Sequence, residues 1–207
     1  MKFYIEMTLL PSADIGINFL WAKLYQQIHL ALVEMSDGKG VVPIGVSFSQ
    51  YDADKYWFGD KLRFFAEAKP DLEKLNIKKW LDRLFDYVHI TQIREVPDNI
   101  KSHVIYKRRQ SNRSFSKLKR TIKRKAEREG VDMEEAGKRL IANLADGEGK
   151  KSAVDDVLLL KFPFIEMKSF SSDKYFKLFI AKEIASREVL GTFNCYGLSC
   201  NSTVPEF

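Results

Sequence analysis

The chain has 207 residues, 45% of them hydrophobic, and a formal net charge of +6. That length makes one large domain or two small ones, and the hydrophobic share builds a packed core, which excludes a disordered tail protein. No run of eighteen apolar residues occurs, so a membrane span is excluded, and the opening residues, which alternate like a strand and carry Glu6, do not read as a signal peptide.

In chain order, residues 3–9 read as a largely apolar strand. Residues 16–35 follow as an amphipathic helix, with Ile17, Leu20, Leu24, Ile28, Ala31 and Met35 at helical spacing. Asp37 to Gly40 is a turn. Val42 to Phe48 and Lys61 to Glu67 are strands rich in β-branched and aromatic residues. Pro70 opens a second helix whose apolar side holds Leu72, Leu75, Ile77, Trp80, Leu81 and Leu84, and Tyr87 to Val96 is a fourth strand. The order βαββαβ predicts an α+β protein whose residues 1–97 form a ferredoxin-like, RRM-like domain. No clean Lys/Arg-Gly-aromatic motif accompanies it, so base binding on that sheet is not expected. Pro97 to Asn99 marks a boundary, and residues 98–207 form a second domain. It contains a short strand, 104–110, a helix from Ser114 to Arg128, another from Asp132 to about Gly147, and three strands over 155–168, 174–181 and 188–196.

The charge is concentrated. Between Lys101 and Arg128 there are twelve Lys or Arg residues and one acid, Glu127, which leaves 22 basic and 27 acidic residues elsewhere. A slightly acidic body therefore carries one strongly basic segment, as a polyanion site requires. On a helical wheel, Arg113, Lys117, Arg120, Arg124 and Arg128 share one face, while Phe115, Leu118, Ile122 and Ala126 form the opposite stripe. One side can dock on the protein while the other offers cations that suit the phosphates of an A-form RNA stem; DNA would satisfy the same electrostatics, and a solubilising helix is the plainer alternative. Arg108 and Gln110, two apart on the preceding strand, face the same way and suit guanine and adenine edges respectively.

Three histidines are available as acid–base groups. His29 lies near the border of the apolar stripe of the first helix, as a structural histidine would. His89 sits in a strand, and His103 sits within the basic segment, where it can assist RNA binding. Ser169-Phe170-Ser171-Ser172 occupies a predicted hairpin turn. No HExxH, P-loop, paired-carboxylate or metal-ligand cluster occurs, so any chemistry is expected to be acid–base chemistry without a metal or cofactor. Cys195 and Cys200 match neither a zinc knuckle nor a CxxC pair; free thiols in a reducing, cytoplasmic compartment are expected.

The C-terminal run Tyr196-Gly197-Leu198-Ser199 followed by Val204-Pro205-Glu206-Phe207 resembles the ending of a known family. That family is the CRISPR-associated endoribonuclease that trims precursor guide RNA in type I-F systems. Phe162 to Ile165, Ser169, Ser171 and Phe176 to Ile180 resemble its preceding hairpin. Lys23-Leu24, His29 to Val33 and Ile44 to Phe48 resemble its first helix and second strand. The resemblance implies His29 as catalytic histidine, Ser169 as catalytic serine and Tyr196 as the tyrosine that helps position the histidine. It further implies Arg108 and Gln110 as readers of the stem's base, Phe176 as an aromatic on the terminal base pair, Ser171 as an RNA contact, and the basic helix as the major-groove element. Metal-free cleavage at the 3′ base of a CRISPR repeat hairpin is implied too, with the product retained beside sibling subunits of a surveillance complex. The contrasting expectation is a non-catalytic RNA-binding subunit, which would have no use for His29, Ser169 and Tyr196. Departures from the pattern are the many lysines on the basic helix, Phe170 between the two serines, and Glu206 at a usually aromatic position.

Overall fold

In the computed structural model the described residues are 1–110, 115–145, 161–199 and 201–207; for 115–118 and 141–145 only the backbone course is described. β1 (Phe3–Leu9) leads into α1 (Ile17–Met35), which buries Leu20, Trp21, Leu24, Tyr25, Ile28, Ala31 and Leu32 along one stripe. That i, i+3, i+4, i+7 spacing makes α1 the central beam of the core. The strand expected over 42–48 is two pieces, β2 (Val41–Val42) and β3 (Gly45–Phe48). Pro43 lies between them and has no N–H to give to a ladder.

β4 (Lys61–Ala66) falls where the pattern puts it. The second helix does not run on unbroken. It is α2 (Lys69–Leu75), α3 (Ile77–Trp80) and a 3₁₀ segment, Asp82–Tyr87. Asn76 adopts a left-handed conformation (φ 43°) between α2 and α3, a conformation its short polar side chain tolerates. The strand expected over 87–96 likewise splits into β5 (Val88–Ile90) and β6 (Arg94–Glu95), both paired with β1. The sheet order is β3-β4-β1-β5, with antiparallel neighbours throughout.

In the second half, β7 (Ser102–Arg109) is followed by α4 (Phe115–Glu129) and α5 (Met133–Ala145). Of the three strands expected at the end, the described residues show β8 (Phe164–Lys168), β9 (Tyr175–Ala185) and β10 (Phe193–Asn194). Residues 155–160 of the first expected strand lie outside the described set. A further strand, β11 (Val204–Glu206), pairs with β7, giving the order β11-β7-β9-β8. Its Pro205 sits on a sheet edge, where a missing N–H costs little. The protein is thus α+β, with antiparallel sheets.

The two sheets share one continuous cluster of buried side chains that includes Phe48, Phe64, Tyr106, Ile165, Leu178 and Val204. Tyr106 stands against Phe48 (rings 5.5 Å apart) and donates its hydroxyl to the Phe48 carbonyl at 2.9 Å. Each such side chain contributes about 1.5–3 kcal/mol by leaving water. On the other face of the first sheet, Glu6 is paired with Arg63 (2.8 Å) and Lys61 (3.1 Å), and Arg63 lies over the Phe207 ring at 4.1 Å. Gly45 on β3 is crossed so closely that an added Cβ would fall 2.5 Å from Phe193 and 2.7 Å from Val204. The chain's own C-terminal strand therefore covers part of this face. Among the described residues no helix is long and apolar enough to cross a membrane.

Candidate active site

Tyr25 and His29 are one turn apart on α1 and so point the same way. Both reach main-chain carbonyls of a single tight turn. Tyr25 Oη donates to the Tyr196 carbonyl at 2.8 Å, and His29 Nδ1 lies 2.9 Å from the Cys195 carbonyl. A carbonyl only accepts, so Nδ1 carries the hydrogen and Nε2 of the neutral ring keeps its lone pair. The turn is fixed from within. Asn194 Oδ1 accepts from the N–H groups of Tyr196 (2.9 Å) and Leu198 (3.2 Å), and the Gly197 N–H donates to the Asn194 carbonyl at 2.8 Å. Gly197 has φ +70°, and a Cβ there would meet Val46 Cγ1 at 2.6 Å, so only glycine fits.

The His29 ring lies flat on Tyr196, with centroids 4.2 Å apart and planes 5° from parallel. Burial is the main influence on the imidazole and holds its pKa below the ordinary histidine value. The Cys195 carbonyl pulls it up, and the Arg108 charge pushes it further down. The ring is therefore neutral near pH 7. Burial raises Tyr25 far above the ordinary tyrosine value, which keeps it a hydroxyl donor.

Arg108, near the end of β7, extends this group. Its guanidinium carbon is 5.0 Å from the Tyr196 centroid and 5.5 Å from that of Phe176 on β9. His29, Tyr196, Arg108 and Phe176 thus form one chain of stacked contacts drawn from α1, the 194–198 turn, β7 and β9. Gln110, just past β7, meets Arg108: with its amide oxygen turned inward it accepts from Nε at 3.0 Å and Nη2 at 2.7 Å. Strand alternation sends Lys107 and Arg109 to the other face, where both pair with Glu183 at 2.8 and 2.6 Å.

Ser169 and Ser171 sit at the turn between β8 and β9. Ser169 Oγ is 3.2 Å from Ser171 Oγ and accepts from the Ser172 hydroxyl at 2.9 Å. The turn is closed by the Ser169 N–H on the Lys174 carbonyl (2.8 Å), an ion pair between Lys168 and Asp173 (2.5 Å), and a left-handed Asp173 (φ 55°). Gln26, one turn before His29, accepts the Lys168 N–H at 3.0 Å through Oε1. The same helix therefore holds the histidine and moors the serine turn.

The basic helix is set apart from this group. Ile122 and Ala126 of α4 pack on Ala136, Val131 and Leu140 in a cluster separate from the main core. Arg120, Arg124 and Arg128 are exposed. Arg128 approaches Glu129 at 3.5 Å, whereas Arg120 and Arg124 have no ion-pair partner among the described residues. Arg113, and the side chain of Lys117, lie outside the described set. Of the remaining histidines, His89 is exposed on β5, and His103 Nε2 lies 3.9 Å from Glu188. Cys195 is a free thiol that donates to the Gly40 carbonyl at 3.2 Å.

Sequence reasoning missed Tyr25, Gln26 and Asn194. Tyr25 was accessible from its i, i+4 spacing with His29, and Asn194 from the Asn-x-x-Gly turn signal. Gln26 contacts a strand 142 residues away and leaves no local signal.

These features define an α+β protein that presents an oriented, neutral imidazole stacked on a tyrosine that an arginine also covers, with a hydroxyl-rich turn moored to the same helix and a cationic helix set apart from it. The family model described as CRISPR-associated protein (Cas_Csy4) matches residues 4–207, and the chain belongs to that family. Two relatives, each a "CRISPR-associated endonuclease Cas6/Csy4", come from Pseudomonas aeruginosa (strain UCBPP-PA14) and Escherichia coli (strain UTI89 / UPEC). Each is 30% identical to this chain, over the full length of both partners.

Proposed function

We propose that the protein is a metal-independent endoribonuclease that binds a CRISPR repeat hairpin, cuts at the 3′ base of its stem and keeps the guide-RNA product. The endonuclease names of its full-length relatives support the enzyme class. The observation that carries the mechanism is the orientation of His29: Nδ1 tied to the Cys195 carbonyl, ring flat on Tyr196, Nε2 left with its lone pair.

In this reading the ribose 2′-OH gives its proton to His29 Nε2 while O2′ bonds to the adjacent phosphorus. The P–O5′ bond breaks, and protonation of the leaving oxygen yields a 2′,3′-cyclic phosphate and a 5′-OH end. General base catalysis of this kind contributes about 10²–10⁴-fold. Tyr196 keeps the imidazole in plane, and Ser169 holds the attacking ribose in line rather than forming a covalent bond. Ser171 contacts the same stretch of backbone. Arg108 and Gln110 read the lowest base pairs, Phe176 stacks on the terminal pair, and Arg113, Lys117, Arg120, Arg124 and Arg128 meet stem phosphates. The antiparallel order β3-β4-β1-β5 supports reading residues 1–97 as a ferredoxin-like domain, with 98–207 as the RNA-recognition half. The product complex would associate with sibling subunits of a type I-F surveillance complex.

The test is a labelled repeat hairpin incubated in EDTA. Cleavage at the stem's 3′ base, lost when the nucleotide before the cut is 2′-deoxy, is expected. A magnesium requirement, or cleavage of the deoxy substrate, would refute the mechanism. Binding without any cleavage would favour a non-catalytic RNA-binding subunit.

A further inference from the structure

We infer that Phe170 is a stacking platform for the first unpaired base on the 3′ side of the cut, so that the protein grips single-stranded RNA beyond the stem as well as the stem itself. The inference rests on the proposed role of Ser169 and deepens it.

Every other residue of the 168–174 turn has an assigned bond. Lys168 pairs with Asp173, Ser169 closes on Lys174, and the hydroxyls of Ser169, Ser171 and Ser172 bond to one another. Phe170 takes no part in that closure. The residue is 65% exposed, and no ring is stacked on it among the described residues. A large apolar ring is thus held on a turn whose backbone is fixed by its neighbours, next in sequence to the serine assigned to the reacting ribose. Phe176, by contrast, is partly buried and already occupied by Arg108 at 5.5 Å. The two aromatics therefore suit different partners: Phe176 the terminal base pair of the stem, Phe170 the strand that continues past it.

Unpaired bases stack on protein aromatics without regard to sequence, because every base has a π-face. Such a platform would favour precursor RNA, which has a downstream strand, over the trimmed product, which does not. It would bias the protein toward uncut RNA without any contact to base edges.

The experiment measures Kd by fluorescence anisotropy for repeat hairpins that end at the cut, carry a short unpaired 3′ extension, or carry that extension with an abasic first position. All have a 2′-deoxy cut nucleotide to block cleavage. For the unaltered protein the extension should tighten binding by about tenfold, in the range of one base–aromatic stack. Phe170→Ala and the abasic position should each erase that gain, and together they should do no more than either alone. Phe170→Trp should keep it. The inference is overturned if Phe170→Ala keeps the gain, if the abasic RNA binds like the intact one, or if Phe170→Ala weakens extended and trimmed hairpins alike. A 5′ extension whose gain depends on Phe170 would overturn the 3′ assignment. If the protein binds no hairpin at all, the parent reading falls too, an outcome separate from tight stem binding that ignores the extension.

Discussion

The stacked group around His29 and the helix α4 both carry basic residues, yet they are built to opposite standards. His29 sits on a helix in the middle of the main core, its ring fixed by a carbonyl on one edge and Tyr196 on one face. The α4 cations stand on a small cluster of their own around Ile122, Ala126 and Ala136. In the proposed reading the difference follows from what each contact requires. Proton transfer needs heavy atoms within hydrogen-bond reach and the right tautomer. Attraction to phosphate falls off slowly with distance and tolerates long, flexible side chains.

Substitutions can break this contrast, and the largest effect is expected at His29. His29→Ala should lower the single-turnover cleavage rate by about 10²–10⁴-fold while hairpin Kd stays nearly constant. A normal cleavage rate would remove His29 from the chemistry. Gly197→Ala should act through the fold: a left-handed alanine pressed on Val46 costs at least about 2 kcal/mol, read as a lower urea midpoint together with slower cleavage. An unchanged midpoint would mean the turn can relax.

Replacing both Arg120 and Arg124 by Ala should weaken binding and flatten its salt dependence by about 0.7–0.9 log units per lost phosphate contact. Kd measured across a salt series tests this, and an unchanged slope would place the RNA elsewhere. The smallest effect sharpens the coupling between the regions. Because burial and Arg108 both lower the His29 pKa, its basic form persists below the ordinary histidine titration range. The acidic limb of the pH–rate profile should therefore lie below pH 6.5, about the ordinary histidine pKa. Arg108→Gln should move that limb upward, since one source of the depression is gone; a limb that stays put would exclude the electrostatic link.

Much of the fold was legible from residue patterns. α1 and α4 follow apolar periodicity, and that signal survives because each has one buried stripe, whereas β1 and β4, buried in part on both faces, were legible as short apolar runs. The breaks were less so: Asn76 and Pro43 interrupt patterns that remain apolar straight through them, because the core on both sides still needs filling. β11 was missed as a strand, since three residues with a proline carry no alternation. At the site, the cationic face of α4 could be read from spacing alone. His29 could not be told from an ordinary helix-edge histidine, because its hydrogen-bond partner is the main-chain carbonyl of Cys195, and a backbone carbonyl has no residue type to recognise.

That choice of partner has a consequence for what can bind. A histidine used as a base is often oriented by a carboxylate, which brings a full negative charge to the site. Here Cys195 supplies a neutral dipole instead. In the proposed reaction a phosphodiester would then approach Nε2 without a carboxylate behind the ring at that bond. The Cys195 thiol, moreover, takes no part in that orientation: it bonds the Gly40 carbonyl, while the Asn194–Leu198 turn holds the Cys195 carbonyl in place.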